Sequence, residues 1–303
     1  MSTEQLALKV QDVPDKGKGV IAMLPISAGE LVLLEAPLFT LSSDYSNSDV
    51  LAKLVALTES EQRQFLSLSN CHRGRFPPLM GICKTNALPC GDNTTIGATR
   101  AARAGIFMTG SRFNSSCVPN VNNYWDDIQQ KISFRALRDI PVGEELCICY
   151  CELFASREDR QHKTSTAFGF ACVCSACTLP DREQKASDKR RTSIGRLYGE
   201  VGDCGNQPSL GLRKVKLVIK LLKEEGILEC AGATFYYDGF QFCVSSSDQR
   251  NAKLWIKKAL DAESLGRGPE TSDAKRYRGY LENPRGHPAF GLLRRQTLTG
   301  PEN

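Results

Sequence analysis

Between Arg112 and Asn120 the sequence reads RFNSSCVPN, and neither regular element tolerates it. Pro119 would break a helix, and the short side chains of Asn114, Ser115 and Ser116 bond their own backbone where a strand needs a ladder. The segment therefore needs a fixed irregular conformation. A cysteine inside such a turn, Cys117, points to a ligand or to close backbone approach around something bound. Whatever this chain folds into must bring partners to that turn.

Three further stretches supply candidates: Gly17-Lys18-Gly19, then GEELCICY from Gly143 to Tyr150, then GFACVCSAC from Gly169 to Cys177. With the central turn, and in this order, they resemble the SET-domain lysine methyltransferases, which carry a GxG turn, an NHSCxPN segment, a GEExxxxY strand and a post-SET CxCxxC. The likeness spans roughly the first six-tenths of the chain, and four spaced motifs together are far more specific than any one of them. It is strongest toward the branch holding the SET/MYND proteins and fungal relatives, in which helices follow the SET core. One departure stands out: Ser115 occupies the place where that family has histidine.

At 303 residues and 33.4 kDa the chain has room for one good core and a second module. No apolar run is long enough to span a membrane, and MSTEQLALKV lacks the basic start and apolar middle of a signal peptide. A nuclear or cytosolic address is expected. The 13 cysteines then read as thiols and metal ligands, since a large chain with no secretion signal and an odd cysteine count is a poor disulfide scaffold. Net charge is +5 and uneven: residues 1–180 carry 17 Lys and Arg against 18 Asp and Glu, residues 181–303 carry 22 against 16. That C-terminal surplus is spread over helices, so solvated faces are expected and direct nucleic-acid binding is not.

In chain order, short apolar runs broken by turn signals from Leu6 to Leu41 read as a β meander. Ile26-Ser27-Ala28-Gly29-Glu30 and Ile140-Pro141-Val142-Gly143-Glu144 share I-x-x-G-E before an apolar run and read as equivalent hairpin corners, with no catalytic duty for either glutamate. Residues 49–70 are helical with a stop and restart at Thr58-Glu59-Ser60-Glu61. This insert holds Cys71, His72, Cys83 and Cys90 without CxxC spacing, which favours isolated buried thiols and a surface histidine over a second zinc site. A Gly- and Thr-rich turn follows Pro89. Residues 121–140 read as two strands joined at Asp126-Asp127, with Trp125 in packing, and Leu146 to Tyr150 as another strand. Cys147, Cys149 and Cys151 would share one face of that strand as small core residues, because same-face positions diverge where a tetrahedral site needs convergence. A helix is expected from Ser156 to about Ala167 with His162 exposed on it. Five more, Ser187–Val201, Leu210–Gly226, Ala231–Val244, Asp248–Leu265 and Ser272–Glu282, form a TPR-like array. In it Leu217, Val218, Leu221 and Leu222 make one stripe, and Ala252, Trp255, Ile256 and Ala259 another.

The expected fold is α+β: a SET-domain β-fold at 1–167 with a helical insert over about 45–105, a zinc-binding post-SET segment at 168–180, and an all-α C-terminal module at 181–303 that walls the substrate cleft, binds a protein partner or buries the back of the core. Cys172, Cys174 and Cys177 are one thiolate short of a closed zinc site; a redox CxxC of Cys174 and Cys177 lacks a thioredoxin-like context. By the resemblance Cys117 completes the set around one structural Zn2+. The resemblance also implies S-adenosylmethionine as methyl donor, held by Lys16, Lys18, Asn114, Ser115, Tyr150 and Phe170, and a protein or peptide lysine as substrate. It puts the Tyr150 hydroxyl at the point of transfer. Asn86 is either a donor-binding amide of the SET/MYND kind or a turn-capping one. The rival function is a SET-like, zinc-stapled interaction module without catalysis, and Ser115 is its support.

Overall fold

The computed structural model describes residues 7–91 and 101–302. Contacts divide the chain into two compact units, Met1–Glu152 with Glu158–Val173, and Leu153–Arg157 with Cys174–Asn303.

The first unit begins with a hairpin, β1 (Leu8–Val13) and β2 (Gly17–Ala22), whose turn carries Gly17 at φ +72°. The expected meander ends there. Strands β3 (Leu31–Glu35) and β4 (Phe39–Ser42) leave for separate sheets, because their partners arrive from much later in the chain. The insert follows as α1 (Asn47–Val55), α2 (Glu59–Leu66) and α3 (Pro78–Asn86). The break between the first two falls at Thr58, whose hydroxyl accepts the Glu61 N–H while the Glu61 carboxylate takes the Thr58 N–H, a reciprocal capping box. Next come β5 (Leu88–Cys90) and β6 (Arg103–Ile106); most of the Gly- and Thr-rich turn expected between them lies outside the described residues. The short β7 (Asn114–Ser115), the hairpin β8 (Val121–Asp126) and β9 (Lys131–Ala136), and β10 (Glu145–Ile148) complete the strands, and α4 (Arg157–Phe168) follows.

Among the described residues three sheets result, ordered β1-β2-β10-β7, β3-β9-β8 and β4-β6-β5. The two I-x-x-G-E corners meet: Ile26 and Ile140 exchange both backbone hydrogen bonds at 3.0 and 2.8 Å, and Gly29 and Gly143 supply the matching left-handed turns at φ +80° and +86°. Between the sheets Val20, Phe107, Phe113, Trp125, Ile132, Phe134 and Leu146 form one buried core, and the insert helices close a second around Val50, Phe65 and Ile82. Residue 125 is thus in packing, as its place on the hairpin implied.

The second unit is a succession of helices, α5 (Asp181–Gly202), α6 (Pro208–Glu224), α7 (Leu228–Ser245), α8 (Gln249–Gly266) and α9 (Ser272–Glu282), each packed on the next. Ala252, Trp255, Ile256 and Ala259 are fully buried along α8. On α6 the inward face is Leu212, Val215, Val218, Ile219 and Leu222, whereas Leu217 is exposed; the stripe expected through Leu217 and Leu221 is rotated by part of a turn. No described helix is long and apolar enough to cross a membrane.

Candidate active site

The central turn takes its shape from β10. Its first two residues, as β7, run parallel to that strand with Cys147 opposite Asn114 and Ile148 opposite Ser115, and the Ser116 N–H continues to the Ile148 carbonyl at 2.8 Å. The Ser116 hydroxyl then folds the turn on itself, accepting from the Val118 N–H and donating to its carbonyl. Asn120, nearly fully buried, clamps the far side: its amide donates to the Glu145 carbonyl and to Glu144 Oε1, both at 2.9 Å, and accepts the Cys147 N–H at 2.8 Å. Phe113, at the entry, stacks on Phe134 with centroids 4.3 Å apart.

Glu145 ties this turn to the β1–β2 corner. Its Oε1 accepts from Asn114 Nδ2 at 2.8 Å, its Oε2 from Lys16 Nζ at 2.6 Å, and the same Asn114 amide donates to the Lys18 carbonyl at 3.2 Å. Burial pulls the Lys16 ammonium toward neutrality, but the bond to Glu145, the charge of that carboxylate and the nearby Cys147 and Cys172 together outweigh it, and the pKa ends above the ordinary lysine value. Gly19 is required by the crowding: a Cβ there would lie 2.6 Å from Val13 Cγ2, 2.8 Å from Glu145 Oε1 and 2.9 Å from Asn114 Nδ2. The Lys18 ammonium itself pairs outward with Asp12 at 2.9 Å.

Tyr150 follows the end of β10, which stops at Ile148, two residues short of the strand read from sequence. Its N–H donates to Ser115 Oγ at 3.3 Å and its hydroxyl to the Phe113 carbonyl at 2.5 Å. Its ring packs against Phe168 at 4.8 Å between centroids, and Phe170 follows at 6.5 Å from Phe168. Burial first, then Cys147 and Glu145, raises the phenol's pKa well above its ordinary value, so the hydroxyl is neutral at neutral pH. Beyond the strand Cys149 and Cys151 turn their thiols to backbone carbonyls, those of Cys151 and Arg160.

Lys16, Lys18, Asn114, Ser115 and Tyr150 are therefore linked by hydrogen bonds, through Glu145 and backbone, and Phe170 adjoins them through Phe168. Asn86 makes none of these contacts among the described residues. It is buried at the end of α3 with both amide hydrogens spent on the Ser69 and Ile82 carbonyls at 2.6 and 2.7 Å, which leaves Oδ1 as its acceptor. Two organising residues, Asn120 and Glu145, were not singled out from the sequence. Both lie inside the quoted motifs, and a buried amide or carboxylate flanked by apolar strand residues was the available signal.

Cys117, Cys172, Cys174 and Cys177 gather so that all four sulfurs lie within 4.8 Å of one another, Cys117 and Cys172 at 4.0 Å; three are buried and Cys174 is half-buried. Gln161 on α4 holds Cys172 by a pair of bonds, 2.9 Å from its N–H and 2.7 Å to its carbonyl. Zinc–sulfur bonds of about 2.3 Å imply sulfur–sulfur edges of about 3.8 Å in a tetrahedron. Four thiols at this spacing fit one zinc ion. In the insert, burial pushes Cys83 and Cys90 up to about 12, which suits inert core thiols. Two expectations are corrected: His72 is buried and not on the surface, and Cys71 is exposed and not buried, its thiol 3.3 Å from the Thr85 hydroxyl.

A turn locked parallel to a strand, with a tyrosine at the strand's end and a cysteine cluster beside the turn, is the architecture of a SET domain with a post-SET segment. A family profile described as the SET domain matches residues 17–151. The chain is 33% identical over 281 residues to the histone-lysine N-methyltransferase set5 of Schizosaccharomyces pombe, an alignment covering 92% of this chain and 85% of that one. Human histone-lysine N-methyltransferase SMYD3 is 34% identical over 79 residues, 26% of this chain and 18% of its own. Histone-lysine N-methyltransferase ATXR4 of Arabidopsis thaliana is 37% identical over 125 residues, 41% of this chain and 38% of its own. The chain belongs to the SET-domain family of protein lysine methyltransferases.

Proposed function

We propose that this chain is a protein-lysine N-methyltransferase that uses S-adenosylmethionine, with one structural zinc ion, and that its substrates are histone or other protein lysines in the nucleus or cytoplasm. The observation that carries the reading is the Tyr150 hydroxyl, neutral and fixed by the Phe113 carbonyl, at the junction of β10 and the central turn.

The donor supplies, when bound, a methyl group on a positively charged sulfur. The chain must present a neutral lysine nitrogen to that carbon, in line and away from water. A free lysine, with a pKa of about 10.4, is almost wholly protonated at pH 7, and a narrow apolar approach lowers that value. A phenol whose own pKa is raised cannot serve as the base. Having donated its hydrogen to Phe113, the Tyr150 oxygen keeps its lone pairs as acceptors, which suits it to hold the incoming amine and polarise the methyl group; the proton leaves to solvent. Asn114, its Nδ2 spent on Glu145 and Lys18, has Oδ1 for the donor, and Lys16, Lys18, Ser115, Phe170 and the Oδ1 of Asn86 complete the pocket. Cys117, Cys172, Cys174 and Cys177 would hold the zinc, tying the segment after α4 to the central turn. The rival, an inactive interaction module, leans on Ser115, and that serine is accommodated by its bond to the Tyr150 N–H.

The test is transfer of label from S-adenosylmethionine to mixed histones and lysate proteins. Tyr150→Phe keeps the ring against Phe168 and removes only the oxygen, so labelling should fall on the order of a hundredfold or more with melting temperature little changed. Equal labelling by the variant would remove Tyr150 from the site, and no labelling by either would favour the inactive module.

A further inference from the structure

Beside Tyr150, but lined by none of the residues assigned to the donor, is a recess of about 650 Å³. Arg75, Lys84, Arg103, Lys163 and His72 line it and no described carboxylate does. One wall is Phe168, the ring that packs on Tyr150. Arg103 is engaged outside the recess, by Asp127 at 3.4 Å. Arg75, Lys84 and Lys163 enter no ion pair among the described residues. Lys84 is held by aromatic faces instead, its ammonium 4.9 Å from the Phe76 ring centre and 5.5 Å from that of Tyr45, and Arg75 bonds the Thr166 carbonyl at 3.2 Å while lying over Phe76. Arg75 and Lys84 are thus positioned by neutral groups, and no described carboxylate compensates their charge or that of the exposed Lys163. The buried His72 registers it: burial, then Arg75 and Lys84, lower its pKa below the ordinary histidine value.

Cations gathered around a concavity of ligand size, two of them held by rings or a carbonyl, with one wall shared with the transfer tyrosine, are complementary to an anion. We propose that this recess binds a carboxylate or phosphate group of the protein substrate, carried within a few residues of the target lysine, so that the enzyme selects lysines in acidic or phosphorylated surroundings. The donor is a poorer occupant, because its reacting sulfur is itself cationic. The inference rests on the methyltransferase reading, whose substrate it narrows.

The experiment uses the full chain and three synthetic peptide pools with one central lysine, whose flanking three positions on either side hold glutamate, glutamine or phosphoserine among otherwise identical residues. Binding is read by fluorescence anisotropy and transfer by label from S-adenosylmethionine. The wild type should favour the glutamate or phosphoserine pool over glutamine on the order of tenfold, the two arms separating carboxylate from phosphate. Lys84→Gln with Lys163→Gln should bring that ratio to within about twofold while transfer to the glutamine pool is unchanged, and Lys84→Arg with Lys163→Arg should keep it. Equal handling of all three pools by the wild type, or a preference that survives in the double glutamine variant, would overturn the proposal. Preferential binding without any transfer would uphold the recess and refute the methyltransferase reading; transfer without preference would do the reverse.

Discussion

Ser115 is the residue at which this chain departs from its family's pattern, and its environment says what the departure changes. The hydroxyl accepts the Tyr150 N–H at 3.3 Å, a long bond worth about 0.5 kcal/mol. An imidazole in its place would forfeit that bond but offer a ring face to the donor, worth about 1 kcal/mol. Ring packing wins by that margin, so Ser115→His should bind S-adenosylmethionine a few-fold more tightly by isothermal calorimetry. Weaker binding by the variant would mean that the Tyr150 backbone bond matters more than ring contact. The neighbouring Asn120 and Glu145 illustrate why a motif is easier to read than its roles. The letters are visible in the chain, yet which amide holds which carbonyl depends on Asn114 lying opposite Cys147 across a parallel pair, a register no spacing reports.

At the scale of elements, the helix read as Ser187–Val201 begins six residues earlier, at Asp181, after Pro180 and with Asp181 and Glu183 in its first turn. Its polar start hid it, and its purpose appears only in packing: Ser187, Arg190 and Arg191 converge on Glu225, the cap residue of α6, at 2.7, 2.5 and 2.8 Å. Arg191 is fully buried and spends a further hydrogen on the Leu153 carbonyl at 2.7 Å. Glu225→Gln would take the Glu225 charge away from that buried guanidinium, a loss of about 3 kcal/mol measurable by urea denaturation at pH 7. For the Glu225 carboxyl, burial raises the pKa but the bonds from Ser187, Arg190 and Arg191 outweigh it, and the folded value lies below the unfolded one. Its stabilisation is therefore full above the unfolded carboxylate pKa of about 4.3 and is lost as pH falls through the lower folded value. The gap between wild type and variant should close on acidification from pH 6 toward pH 3. A constant gap would mean that the glutamate acts through shape and not charge. By contrast the break at Thr58 was readable in advance, because a capping box is local and needs no partner from elsewhere.

At the scale of the whole chain, the candidate site is assembled from residues 16–19, 113–120, 145–150 and 168–177, and each stretch was visible as a motif. What was not visible is whatever depends on pairing between distant segments: β3 leaving the first hairpin for β9, Gln161 gripping Cys172, and the cationic recess formed where the insert approaches α4. The cysteine cluster lies between these cases, since three cysteines are close together in sequence, at 172, 174 and 177, and the fourth precedes the first of them by 55 residues. That separation gives a decisive test. A zinc ion bound by Cys172, Cys174 and Cys177 alone would be indifferent to the central turn, whereas one bound by all four sulfurs depends on it. Purified under reducing conditions, the wild type should hold one equivalent of zinc, and Cys117→Ser should hold far less and melt several degrees lower, because metal affinity is folding free energy when the site exists only in the folded chain. Cys149→Ser, whose thiol bonds a backbone carbonyl outside the cluster, should keep both its metal and its melting temperature. If Cys117→Ser retains a full equivalent, the central turn is held by its own hydrogen bonds to β10 and the cluster closes with a different fourth ligand.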